Sequence, residues 1–84
     1  MEIEFDPDKD AANIAKHGIS LARAVDLEGA VVVRDDRFAG EQRYRLYGRI
    51  GGEPFCLAAV LRGGIVRAIS LRRSHSKEFN RHVS

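Results

Sequence analysis

Three arginines, Arg43, Arg45 and Arg49, stand in one short run at two- and four-residue spacing, with Tyr47 among them. In an extended strand alternate side chains share a face, so these four lie together while Tyr44, Leu46, Gly48 and Ile50 take the other side. Like charges on one sheet face repel, and folding does not ask for them. A polyanion does, because the planar guanidinium fork matches a phosphate two bonds at a time and a tyrosine ring offers a base something to stack on. The plain alternative is a well-solvated outer face, since exposed arginine is ordinary. A second basic set, Arg67, Arg72, Arg73, His75, Lys77 and Arg81, closes the chain. If the last strand lies near the first set, the two make one basic concavity sized for a few nucleotides. Cations on strands rather than on a helix suit single-stranded or looped RNA better than a duplex major groove.

Cutting an RNA phosphodiester without a metal requires a base for the 2′-OH proton, cations for the charge growing on the phosphate, and an acid for the leaving 5′-oxygen. The arginines meet the second need. For proton transfer, Glu41 lies just before the cationic strand, where arginines keep it ionised, and His17 titrates near neutral pH. His75 is a further imidazole close to Arg72 and Arg73. Each has a bland reading as well: a loop Glu is usually solvated, and Lys16 with His17 suits the negative end of a helix. The three histidines have no metal-ligand spacing, and neither a phosphate-binding glycine loop nor a dinucleotide fingerprint is present. The chemistry therefore calls for no cofactor.

Eighty-four residues make one domain, read here as 1–84, with room for one small core and a shallow groove. A hydrophobic share of 44% with both charge signs present argues for a folded chain. No apolar run approaches the ~20 residues of a membrane span, and the acidic start lacks the features of a signal peptide, so the expected setting is cytoplasmic, with no membrane partner. The single cysteine, Cys56, sits among Phe55, Leu57 and Ala58 and reads as an inert core thiol. The net charge of +2 hides a division: residues 1–36 carry a balance of −5 and residues 37–84 one of +7. Such polarity suits a nucleic-acid surface or a charged protein partner.

The elements that must position these residues follow from local signals. Ile3-Glu4-Phe5 reads as an extended lead-in, an edge strand or a plug. Asp6 caps and Pro7 opens a helix running to His17 with Ala11, Ile14 and Ala15 as its apolar face, and Gly18 stops it. Ser20 starts a second helix, with Leu21, Ala24, Val25 and Leu27 inward and Gly29 as its stop. Strands follow over Ala30–Arg34, Gln42–Ile50, Phe55–Leu61 and Ile65–Arg72, with short connections that favour an antiparallel meander. In the last strand strict alternation sends Ile65, Ile69 and Leu71 to the core, beside one misfit, Arg67. A terminal helix, capped by Ser74 or Ser76, is anchored by Phe79. The expected fold is thus α+β: two N-terminal helices, a four-stranded antiparallel sheet and a short C-terminal helix.

Phe5-Asp6-Pro7, Lys9, Asn13, Lys16-His17-Gly18, Ile19-Ser20, Asp35-Asp36-Arg37, Gly40-Glu41, Arg43, Gly48 and Ile69-Ser70-Leu71-Arg72-Arg73 together resemble the BrnT family. The similarity runs in order over nearly the whole chain. Phe5 stands where that family usually has Trp, and Leu21 and Leu27 where it has Phe. The resemblance implies a RelE/barnase-like fold and a metal-independent endoribonuclease toxin of a type II toxin–antitoxin system, one that cleaves RNA and arrests growth. It also implies neutralisation by a cognate antitoxin with a ribbon-helix-helix DNA-binding domain, so that operator DNA is met only through the antitoxin. By position, Lys16, His17, Glu41, Arg43, Arg72 and Arg73 are the matching polar residues, while Arg45, Tyr47 and Arg49 come from strand alternation. Arg43, Arg45, Arg49 and Arg72 would bind and polarise the phosphate, Glu41 or His17 would accept the proton, and Lys16 or Arg73 would stabilise the leaving group. A rival reading from another class is a non-catalytic RNA-binding or protein-interaction module with a cationic sheet face.

Overall fold

The strand that carries the alternating arginines, β3 (Arg43–Ile50), is second from one edge of a five-stranded sheet. A computed structural model describes residues 1–83. In chain order the elements are β1 (Ile3–Glu4), α1 (Pro7–His17), a 3₁₀ helix (Leu21–Asp26), β2 (Glu28–Asp35), β3, β4 (Glu53–Arg62), β5 (Ile65–Arg73) and α2 (Ser76–His82). The sheet order is β1-β5-β4-β3-β2, antiparallel except that β1 runs parallel to β5.

The expected two helices and four antiparallel strands are corrected on two counts. First, Ile3 and Glu4 pair with Val66 and Arg67, and the Val66 N–H donates to the Glu2 carbonyl at 3.0 Å, so the lead-in is a fifth strand and the sheet is mixed. It shields part of a β5 edge whose amides would otherwise be unpaired. Second, the segment after Ser20 winds as a 3₁₀ helix, with Arg23 N–H bonded to Ser20 and Leu27 N–H to Ala24. Its inward residues Leu21, Ala24 and Leu27 recur every third position, the period of a 3₁₀ helix, in which such side chains eclipse. Val25, off that period, is exposed. The Asp10 carboxylate fixes the entry, accepting from the Ser20 hydroxyl at 2.8 Å and the Leu21 N–H at 2.7 Å.

Helix α1 starts and stops as its sequence dictates. Asp6 accepts from the Asp8 N–H at 2.7 Å, and Gly18, at φ 71°, donates its N–H to Ile14. Its packing differs from expectation: Ala11, Ile14 and Ala15 face solvent, and the buried residue is Asn13. The Asn13 amide donates to the carbonyls of Leu71 and Ile19, both at 2.9 Å, and accepts from the Leu71 N–H at 3.0 Å. It pairs with β5 as a strand would, beyond the end of β1, and so bolts α1 to the sheet.

The core lies on one face of the sheet, where Leu46, Ile50, Leu57, Ala59 and Leu71 meet the 3₁₀ helix. Gly48 makes that contact possible, because a Cβ there would come within 2.7 Å of the Leu27 side chain and 2.8 Å of the Glu28 carbonyl oxygen. The misfit Arg67 is resolved by a bulge. Ala59 pairs with Ala68 and Ala58 with Ser70, so Ile69 is the extra residue. Val66, Ala68 and Leu71 then turn inward, while Arg67, Ile69, Ser70 and Arg72 all belong to the other face. Strict alternation, which puts Ile69 inside, is corrected accordingly.

Candidate nucleic-acid interface

The face opposite the core is assembled in rows across three strands. Tyr47 stands beside Cys56 and Arg72, Arg45 beside Ala58 and Ser70, and Arg43 beside Val60 and Arg67. Helix α2 folds back over the first row. Phe79, 2% exposed, and Val83 pack with Tyr47 and Cys56, and the His82 ring stacks on Tyr47 with centroids 4.6 Å apart. Burial pushes the Cys56 thiol up, consistent with an inert side chain. The Tyr47 ring is fully buried, so protein already occupies the position a base would take. The hydroxyl accepts from Arg45 Nη1 at 2.8 Å and donates to Glu78 Oε2 at 2.6 Å.

Beyond α2 the second row stays open. Asp35, Phe38, Arg43, Arg45, Ser70 and Arg72 are among the walls of a cavity of about 230 Å³ whose floor includes the small residues Ala58 and Cys56. Carboxylates hold its cations in place. Glu78 accepts from both terminal nitrogens of Arg72, at 3.0 and 2.9 Å, and lies 4.0 Å from Arg45. The Arg72 guanidinium, helped by the Tyr47 hydroxyl, holds the Glu78 carboxyl down at about 2. Asp35, 4% exposed, takes Arg37 as a fork at 2.8 and 2.7 Å, and that pairing holds its own carboxyl down at about 2. Among the described residues Arg45 Nε is buried without a hydrogen-bond partner, and Asp35 Oδ2 lies 3.8 Å from it.

The bulge at Ile69 carries this surface toward α1. Ile69 and Ser70 also line a shallow depression shared with Lys9, Lys16 and His17. Burial first, then Lys16 and Arg72, lower the His17 imidazole from its usual value.

Not every expected site residue converges here. Glu41 is forked to Arg62 at 3.0 and 2.8 Å, in a depression that shares only Arg43 and Ile69 with the main cavity. Arg49 lies 4.7 Å over the Phe79 ring and donates to the Gly52 carbonyl, serving α2 and the β3–β4 turn. Arg73 turns to the core side of the sheet, beside Phe55 and paired with Glu53. Arg43, Arg45 and Arg72 come together, with Lys16 and His17 at the far end of the same strip. Glu78, Asp35 and Phe38 were not legible as site residues. The fold-back of α2 brings Glu78 to Arg72, while the end of β2 and the loop after it bring Asp35 and Phe38 to the cavity. Among the described residues no group of three His, Cys, Asp or Glu side chains is arranged to hold a metal ion, and no helix is long and apolar enough to cross a membrane.

A family model described as the ribonuclease toxin, BrnT, of type II toxin–antitoxin systems matches residues 5–78. Among solved structures the chain is similar to the Brucella abortus ribonuclease toxin BrnT, known at 1.1 Å resolution. The two are 25% identical with a TM-score of 0.75, over 90% of this chain and 99% of that one. No curated protein sequence matches it. A match over most of the chain, joined to the same fold, shows that the chain belongs to the BrnT family of ribonuclease toxins of type II toxin–antitoxin systems.

Proposed function

We propose that this chain is an endoribonuclease toxin that cuts RNA without a metal ion and arrests growth until a cognate antitoxin covers it. The observation that carries this reading is the open half of the cationic face, where Arg43, Arg45 and Arg72 surround a small-residue floor next to His17 and Lys16. A phosphodiester seated there meets fixed guanidiniums, which stabilise the charge that grows on its non-bridging oxygens. The 2′-oxygen attacks phosphorus, the P–O5′ bond breaks, and the products are a 2′,3′-cyclic phosphate and a free 5′-hydroxyl. We assign the 2′-OH proton to His17, whose depression adjoins the arginines, rather than to Glu41, which Arg62 holds elsewhere. Lys16 is assigned to the departing 5′-oxygen. The reaction belongs in the cytoplasm, with a ribbon-helix-helix antitoxin as partner and operator DNA met only through it.

The test is induction of the gene in a bacterial host, wild type beside Arg72→Ala, with growth, total RNA integrity and product ends followed, and cleavage repeated in vitro in excess chelator. Arrest with RNA loss and cyclic-phosphate ends in the wild type alone supports the reading. Full toxicity of a folded Arg72→Ala protein removes Arg72 from the site. Salt-dependent RNA binding without new ends would make the chain a non-catalytic binding module.

A further inference from the structure

With Tyr47 buried, the cationic cavity still has one accessible aromatic wall. Phe38 is 47% exposed on the loop between β2 and β3 and belongs to neither hydrophobic cluster of the fold. It borders the same cavity as Arg43, Arg45 and Arg72. The Arg43 guanidinium lies 4.1 Å from its ring centroid and that of Arg37 5.6 Å, and the ring still keeps its 47% exposure. An exposed phenylalanine gains nothing from water, and here it is presented rather than loose. The buried Asp35 carboxylate grips Arg37 through its backbone N–H at 3.3 Å as well as its side-chain fork. Gln42 then ties the other end of the loop, donating to Asp36 Oδ1 at 3.1 Å and to the Arg43 carbonyl at 2.9 Å.

A cavity of about 230 Å³ is smaller than the roughly 300–1,000 Å³ that encloses a whole small molecule. It takes a phosphate and part of a sugar, which leaves the adjoining base at the rim, where Phe38 stands. Resting on the ribonuclease reading above, we infer that Phe38 is the stacking platform for the RNA base next to the phosphate held by Arg43, Arg45 and Arg72. Stacking on an aromatic ring tolerates any base, with purines favoured by their larger face.

The chain has no tryptophan, so Phe38→Trp introduces a single fluorophore at the proposed platform. Two probes are titrated: a four-nucleotide 2′-O-methyl oligoribonucleotide, which cannot be cut, and its counterpart with every base removed. The indole emission of the Phe38→Trp variant is expected to be quenched by the base-bearing probe and not by the abasic one. Phe38→Ala is expected to weaken the base-bearing probe by about 5- to 150-fold, with little change for the abasic one, and Phe38→Tyr to restore it. Equal weakening of both probes would mean that Phe38 acts only by placing Arg43. Unchanged affinity in Phe38→Ala would leave the ring to another partner, such as a protein. Either outcome overturns the inference while RNA cleavage by the wild type keeps the ribonuclease reading intact. A wild type that neither binds the probes nor cuts RNA overturns both.

Discussion

Replacing Asn13 with Ala removes three hydrogen bonds from a single buried side chain, two of them to the main chain of Leu71, next to Arg72. At about 1 kcal/mol net for each bond the loss is about 3 kcal/mol, and the better helix propensity of Ala returns about 0.5 kcal/mol of it. A domain of this length has a total stability of about 4–13 kcal/mol, so the change is a large share. With a urea slope of about 1 kcal/mol/M, the unfolding midpoint falls by about 2–3 M. A shift under about 0.5 M in a two-state transition would show that water replaces the amide and that α1 is not bolted to β5 in this way. Asn13→Asp sharpens the test, because it keeps the acceptor for Leu71 but loses both donations. A carboxylate facing two carbonyls has a raised folded-state pKa, so this variant's stability is present at low pH and lost as pH rises through that value. The opposite slope would refute the geometry.

Gly48→Ala forces a Cβ against the Glu28 carbonyl and the Leu27 side chain, and is expected to cost about 1–3 kcal/mol in urea unfolding. A neutral result would mean that the 3₁₀ helix shifts freely. Glu78 and Asp35, both held near 2, contribute stability that is complete above ordinary carboxylate values and lost as pH falls toward 2. The melting temperature should therefore drop through that window, and less steeply in Glu78→Gln; parallel curves would mean that the Arg72 fork adds nothing. In cleavage, His17→Ala is expected to lose about 10²- to 10⁴-fold while Glu41→Gln keeps the wild-type rate, and the reverse pattern exchanges the two assignments. Phe79→Ala is expected to loosen α2 locally, seen as faster labelling of the buried Cys56 by a thiol reagent. Unchanged labelling would show that α2 does not depend on that ring.

What could be read in advance was what depends on neighbours in sequence. The two faces of β3 follow from a period of two that both its apolar and its basic residues obey, and Asp6, Pro7 and Gly18 fix α1 by local geometry. Long-range choices were not legible in that way. Nothing near Ile69 announces a bulge; its only trace was an arginine left pointing into a core. The three-residue spacing of Leu21, Ala24 and Leu27 did carry the 3₁₀ helix, but it also suits one side of an α-helix, and the hydrogen bonds decide. In α1 the small apolar face suggested packing, while the anchor was a polar residue whose sheet partner, Leu71, lies 58 positions away. For the site, residue type identified the cations, and only topology could say which face each one joins.

That sorting depends on α2 more than on the arginines. A seven-residue helix cannot stand alone, so it must borrow an apolar seat, and Tyr47 with Cys56 supplies one. Once seated, it claims Tyr47 and Arg49 for its own packing and delivers Glu78 to the fork of Arg72. Part of the arginine-bearing face is thus covered by α2 and the rest stays open. The carboxylate on Arg72 also sets what a ligand must do there. Glu78 already holds both terminal nitrogens of Arg72, whereas the Arg43 guanidinium lies over the Phe38 ring. In the proposed reaction, therefore, a phosphate at Arg72 has to share or displace Glu78, whereas at Arg43 it meets a guanidinium that lies over a ring.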